Sequence, residues 1–452
     1  MRVLASATVR SLNATLVLAL AVLAVCVPAV AHAAAPTLAA AGDVACPPGG
    51  DPAVPGNCQQ AVTAGLIRGL KPTAVAALGD LQYDSGTLPD FQASFDASWG
   101  TFKPLIHPAP GNHEYYTRDA SGYYDYFNGV GGASGAAGNR GHGYYSYGLG
   151  DWHIVVLNSN CDFVPCGPGS QQEQWLRADL ATYRAPCTLA YWHHPLFTSG
   201  PNRNDPNGLA TVALWQALYD ARADVILNGH AHYYERIRPQ NPLGDRDTAN
   251  GIREFVVGTG GRSLYTVAQT GRGSELYRSD FGVMALTLRS SGYDWRFLSA
   301  TTGTFVDSGT GACHNAPPEV SSFVLGATRF AVGKYPTAQQ AVSAAQRGTS
   351  IAYRLSKPAS VRVAIAKLLP GRRAGRRCVA PRRRLARQRS CTRLIGQGAL
   401  ERAGQAGLNR IYFSGRIGRR PLSPGRYTAQ LTATDNARTS APQSRSFVVV
   451  AG

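Results

Sequence analysis

Along residues 37–232 the chain repeats one pattern: a short apolar run, a glycine or histidine followed by polar side chains, then a segment with helical spacing. The runs TLAAA, AVAAL, LIHPA, HIVVL, CTLAY and DVILN read as buried strands. Between them, QQAVTAGLIRGL places Val62, Leu66, Ile67 and Leu70 on one helical face. LPDFQASFDASW, SQQEQWLRADLATY and LATVALWQALYDA read as further helices. Strands that alternate with helices predict an α/β domain.

In five of these runs the polar groups fall just after the apolar part. They are Gly42-Asp43, Gly79-Asp80 with Tyr83, Gly111-Asn112-His113-Glu114, His193-His194-Pro195 and Gly229-His230-Ala231-His232. Open α/β sheets bind ligands at such strand ends. Singly, a Gly-Asp pair is an ordinary turn and a buried histidine an ordinary core residue. Five in succession, each rich in metal-binding groups, point to a metal site. Two cations about 3.5–4 Å apart need a bridging carboxylate and leave room for water, and Asp80 suits the bridge. The glycines before Asp43, Asp80, Asn112 and His230 are expected to turn the backbone so that each ligand points inward.

Through GDVA, GDLQY, GNHE, His193-His194-Pro195 and GHAHYYER the sequence resembles the calcineurin-like metallophosphoesterases and, within them, the purple acid phosphatases. The resemblance covers residues 37 to about 310. It implies a two-sheet sandwich flanked by helices (αββα) with a dinuclear metal centre. It implies a first metal held by Asp43, Asp80, Tyr83 and His232, and a second held by Asp80, Asn112, His193 and His230. Many relatives carry Asp-x-His in the first motif, but here the third position is Ala45, so Tyr83 has to supply the missing ligand. A tyrosinate is a hard anionic donor, and the family pattern then implies Fe(III) at the first site, with Zn(II), Fe(II) or Mn(II) at the second.

The implied activity is hydrolysis of phosphate monoesters by a metal-held hydroxide, with His113 near the leaving group as proton donor or charge stabiliser. Lowering the pKa of water from 15.7 to near 7 is worth about 12 kcal/mol in favour of hydroxide, against about 3–5 kcal/mol for a positioned acid, so the metals dominate. His194, beside a ligand, is read evenly as a substrate-binding pocket residue or as a packing residue. A phosphodiesterase or nucleotidase on the same site stays open, as does a wall-binding surface protein with vestigial catalysis. The tyrosine-rich segments SGYYDYF and GHGYYSYG are expected in a long loop able to cover the site.

Beyond residue 316 the pattern changes to period two: SIAYRLS, VRVAIAK, NRIYFSG and RYTAQLTATD alternate apolar and polar residues. An all-β Ig-like or fibronectin-like sandwich is expected over residues 317–452, after a catalytic domain at 34–316. Charge follows the same division. Residues 320–452 hold 25 Lys+Arg and two acids, leaving the remainder at −5 of the total +18. The basic segment GRRAGRRCVAPRRRLARQRSCTR reads as a hairpin closed by Cys378 and Cys391. It reads first as a solvated loop that keeps the protein soluble; an anionic cell-wall polymer is its candidate partner, and nucleic acid ranks last because no reading motif or aromatic platform accompanies it.

Residues 1–33 pair two arginines with an apolar stretch and end in Ala-His-Ala, the form of a removed export signal. The expected location is therefore secreted or cell-wall associated, with no integral membrane segment once the signal is gone. Removing the signal takes Cys26 and leaves eight cysteines in an oxidising compartment. Short spacings favour Cys46 with Cys58, Cys161 with Cys166 and Cys378 with Cys391, which leaves Cys187 and Cys313. Connectivity is open at this level.

Overall fold

The computed structural model describes residues 34–50, 58–337, 347–435 and 438–451. The expected export signal at 1–33, with Cys26, lies outside them. Strands Thr37–Ala41, Ala74–Leu78 and Ile106–Ala109 run parallel as neighbours. Gly282–Arg289, Gly292–Ser299 and Phe305–Ala312 add antiparallel strands to complete a six-stranded sheet. In a second, seven-stranded sheet, Trp152–Val156, Cys187–Tyr191, Val225–Asn228 and Arg253–Val257 are parallel. Tyr145–Leu149 flanks them on one side, Tyr234–Ile237 and Ser274–Arg278 on the other.

Alternation along the strands fixes the layers. Ile154, Val156, Leu189 and Tyr191 enter the core shared with the first sheet. Their neighbours Val155, Leu157, Ala190 and Ile226 instead pack with Leu176, Leu214 and Trp215 of helices Gln171–Thr182 and Val212–Asp220. Helix Gln60–Leu70 lays Ala64 and Ile67 on the first sheet. The result is the helix-flanked two-sheet sandwich.

Three local expectations change. Val62 is exposed and Thr63 buried, because the Thr63 hydroxyl donates to the Gly260 carbonyl at 2.5 Å and accepts from Trp99 Nε1 at 3.1 Å. LPDFQASFDASW is not one helix: a turn at Leu88–Asp90 widens into a π turn at Phe91–Phe95, and a 3-10 segment follows at Trp99–Leu105. That path lets Phe91, Phe95 and Trp99 all reach the core. SGYYDYF is no loop but part of helix Ser121–Asn128, whose Tyr123, Tyr124, Tyr126 and Phe127 are buried against the first sheet.

Among the described residues of 320–450, a three-stranded and a seven-stranded sheet, with a two-stranded hairpin at 416–421, surround a separate apolar cluster that includes Phe323, Tyr353, Val361, Val363, Tyr427 and Phe447. Along Ala359–Ala374 the buried Val361, Val363 and Ile365 alternate with exposed or half-buried residues, as in a strand with one solvated face. Among the described residues the three pairs that short spacing favoured form, and Cys187 pairs with the remaining Cys313. Cys187–Cys313 spans 126 residues and joins a central strand of the second sheet to the end of the first. Four disulfides suit an oxidising, extracytoplasmic compartment. No helix among the described residues is long and apolar enough to cross a membrane.

Candidate metal centre

All five motif segments follow the carboxyl ends of parallel strands, and the two sheets bring those ends together. The junction is a backbone one: Gly42 N–H donates to the Val257 carbonyl at 2.9 Å, and Gly260 N–H to the Gly42 carbonyl at 2.8 Å. Local backbone conformation aims the candidate ligands. Asp43, Asp80 and His230 themselves take positive φ (61°, 50° and 66°), a region that non-glycine residues seldom occupy and that clusters at functional sites. Of the preceding glycines only Gly79 turns at positive φ, and Gly111 is needed for space. A Cβ there would lie 2.2 Å from Asp80 Oδ1.

Four of the expected first-site residues meet at one point. The Tyr83 hydroxyl lies 2.9 Å from Asp43 Oδ1, 3.0 Å from Asp80 Oδ2 and 3.1 Å from His232 Nε2. His232 Nδ1 is 2.6 Å from the Ser263 carbonyl, so Nδ1 carries a proton; Nε2, 3.1 Å from Asp43 Oδ1, is left to bind a proton, which burial opposes but the Asp43 charge favours, or a cation. One phenolic proton cannot satisfy three acceptors. A cation at this point would. Burial and the Asp43 and Asp80 charges push the Tyr83 phenol well above its ordinary pKa, so only a strong positive charge in contact would make it a tyrosinate. The Ala45 carbonyl takes the Tyr83 amide at 2.9 Å, which holds the Tyr83 backbone beside the first motif.

The second set leaves three buried atoms with no hydrogen-bond partner: Asn112 Oδ1, His193 Nε2 and His230 Nε2. His193 Nδ1 pairs with the Leu78 carbonyl at 2.8 Å, again turning Nε2 inward. His193 Nε2 lies 3.2 Å from Asp80 Oδ2 without hydrogen-bond geometry. The same Asp80 oxygen therefore faces Tyr83 and His193, the position of a bridge between two cations. Burial opposes charge on both partners, yet Asp80 is held below the usual carboxylate range by His193 and by the His113 amide, and His193 is raised to about 9 by Asp80. Ligand atoms of Asp43, Asp80 and His193 lie within 4.8 Å of one another, as do those of His193, His194 and His230.

Residues 37–234 match the profile of the calcineurin-like phosphoesterase family. The chain carries a calcineurin-like metallophosphoesterase domain. Such domains use a dinuclear metal centre, which these clusters fit. Purple acid phosphatase 22 of Arabidopsis thaliana is 35% identical over 98 residues, 21% of this chain and 22% of that protein. Purple acid phosphatase 23 of the same plant is 29% identical over 197 residues, 37% of this chain and 42% of its own. Its relative named probable inactive purple acid phosphatase 9 is 26% identical over 230 residues, 42% and 34% of the two chains. The matched region spans about a fifth of the first curated relatives. The purple acid phosphatase PPD1 of yellow lupin seeds aligns at 21% identity over 62% of this chain and 54% of that one, with a TM-score of 0.48.

Around the candidate ligands stand groups to which the motif reading gave no role. Glu114, fully buried, accepts four backbone N–H groups: Asp80 at 2.9 Å, Leu81 at 2.8 Å, Gln82 at 3.3 Å and Gly111 at 2.6 Å. It clamps the Asp80 loop to the Asn112 loop. Burial and the Asp80 charge push its pKa up to about 7, against the pull of those donors. Asp205 caps helix Pro206–Ala210 with Oδ1 and holds Oδ2 3.5 Å from His230 Nε2. Tyr265 stacks on His232 at 4.2 Å, and the Arg262 guanidinium sits 5.1 Å from the Tyr83 ring. The sequence showed Glu114 only as the last residue of GNHE, with no sign of its role; Asp205 and Arg262 stand outside every motif.

His113 and His194 also reach the cluster. The His113 ring lies over Tyr83 at 4.2 Å, its Nδ1 bonds the Asp84 carbonyl, and its Nε2 is 3.8 Å from Asp80 Oδ2. His194 is buried, 4.5 Å ring to ring from His230, with Nδ1 2.8 Å from Ser159 Oγ. Burial, reinforced by His193 and His230, pulls its pKa well below the ordinary value, so it stays a neutral imidazole.

Proposed function

We propose that this chain is an exported hydrolase of phosphate monoesters, of the purple acid phosphatase type. Its catalytic domain occupies residues 34–316, after an export signal at 1–33 and before a basic β-sandwich at 317–452. The observation that carries the reading is the double deficit at the strand ends. Three acceptors crowd one phenol, and three inward atoms of Asn112, His193 and His230 lack partners. Asp43, Asp80, Tyr83 and His232 would hold Fe(III), and Asp80, Asn112, His193 and His230 would hold Zn(II), Fe(II) or Mn(II). Such a pair supplies Lewis acidity and a water acidic enough to ionise near neutral pH.

The chain's own residues do the remaining work. Glu114 fixes the two loops whose ligands must keep their spacing. His113 Nδ1–H donates a hydrogen bond to the Asp84 carbonyl, which leaves Nε2 to carry a proton to the leaving oxygen or to stabilise its charge. Arg262, partly exposed and paired with Asp84 at 3.3 Å, stands at the rim where a phosphate dianion approaches and can turn a guanidinium N–H to it. The test compares p-nitrophenyl phosphate with bis(p-nitrophenyl) phosphate on metal-loaded protein. The monoester is expected to turn over with the higher kcat/KM. Preference for the diester contradicts the monoesterase reading, and failure to hydrolyse either contradicts an active hydrolase.

A further inference from the structure

The phosphoesterase site makes no use of the longest hairpin in the chain. Ala359–Ala374 pairs with Ser390–Gly404, but the next strand, Gly425–Asp435, flanks only Ser360–Lys367. From Leu368 outward the ladder is a projecting ribbon. Its tip folds Arg377–Val379 back onto Arg372–Ala374, so the strand through Gly371 lies between the strands carrying Cys378 and Cys391. The Cys378–Cys391 disulfide crosses over Gly371, where a Cβ would lie 2.6 Å from Cys378 Sγ. A two-stranded ribbon is marginal alone, and this staple holds it.

Residues 371–393 contain ten arginines, no acid and no aromatic. All ten arginines but Arg372 and Arg393 are exposed, and none has a carboxylate partner among the described residues. Concentrating like charge on one stapled arm opposes folding through self-repulsion, and an extended polyanion would relieve it. Each guanidinium stays charged at any working pH, so each can pair with a phosphate charge. With no ring to stack bases, the arm lacks what single-stranded nucleic acid binding requires.

We propose that the ribbon at residues 368–395 is a docking arm for a linear polyol-phosphate polymer, gripped through its repeating phosphodiester charges. This inference is independent of the monoesterase reading. Affinity should fall linearly with salt on a log–log scale, with a slope of about −4 if about six arginines engage. That is a loss of roughly 10²- to 10³-fold between 50 mM and 200 mM salt.

The test measures binding of the intact chain to immobilised poly(glycerol phosphate) across a salt series. R382Q/R383Q/R384Q/R387Q should reduce the slope by about 3 and weaken binding at least tenfold, with p-nitrophenyl phosphate turnover unchanged. Lysine at the same four positions should retain most of the binding, which separates charge from folding. Unchanged binding by the glutamine variant overturns the proposal, and so does its loss in the lysine variant. Tighter binding to duplex DNA or to anionic phospholipid vesicles at matched salt overturns it as well.

Discussion

Replacing Glu114 with Gln tests the clamp that holds the two ligand loops together. Each carboxylate oxygen accepts two backbone N–H groups, Asp80 and Gly111 on one side, Leu81 and Gln82 on the other. An amide keeps one acceptor oxygen and turns an NH2 toward the other pair, so two buried N–H groups lose their partner. A hydrogen bond to a charged acceptor contributes about 1.5–3 kcal/mol, so the variant should lose about 3–6 kcal/mol. At the lower end of the usual conversion for large domains this is a fall of about 6–12 °C in Tm. Calorimetry of metal-free protein at pH 8 reads it, because the carboxyl, with a pKa of about 7, is then ionised. Metal titration should show weaker binding in parallel, since Asp80 and Asn112 no longer share an anchor. A Tm within about 2 °C of the parent, with unaltered metal affinity, would refute the clamp.

Other outcomes follow from the same geometry. Tyr83→Phe should remove the visible charge-transfer band of iron-loaded protein; a band of equal intensity excludes the phenol as ligand. His113→Ala should leave metal content intact and lower kcat by about 10²- to 10⁴-fold, and metal loss in this variant would move His113 into the ligand set. His314, away from the centre, has a pKa raised above 6.5: burial works against this, but its bond to Asp224 at 3.0 Å prevails. The charged pair therefore stabilises the fold below pH 6.5 and loses that contribution as pH rises through the raised value. The Tm difference between parent and His314→Gln should shrink from pH 6 to pH 8, and a difference that grows would reverse the sign.

Much of the site was legible because buried parallel strands are mostly apolar, so a cluster of polar residues marks the strand end. TLAAA-GD and AVAAL-GD change character at one residue, and the structure ends each strand there. What failed to show in the sequence were contacts decided by distant partners. Thr63 displaced Val62 from the buried face because a carbonyl 197 residues away accepts its hydroxyl. Phe91, Phe95 and Trp99 have the spacing of a regular helix, yet core packing selects a widened turn. The glycine before each ligand was visible, but not that Asp43, Asp80 and His230 would take the left-handed conformation themselves. Glu114 has no periodicity to reveal it; its role exists only once two loops converge.

The most direct measurement is metal content by elemental analysis after reconstitution, for the parent and for Asp80→Asn. The account predicts about two ions per chain in the parent and loss at both positions in the variant, because one oxygen of Asp80 serves both sets. A parent that binds no transition ion, or a variant that keeps both, would contradict it.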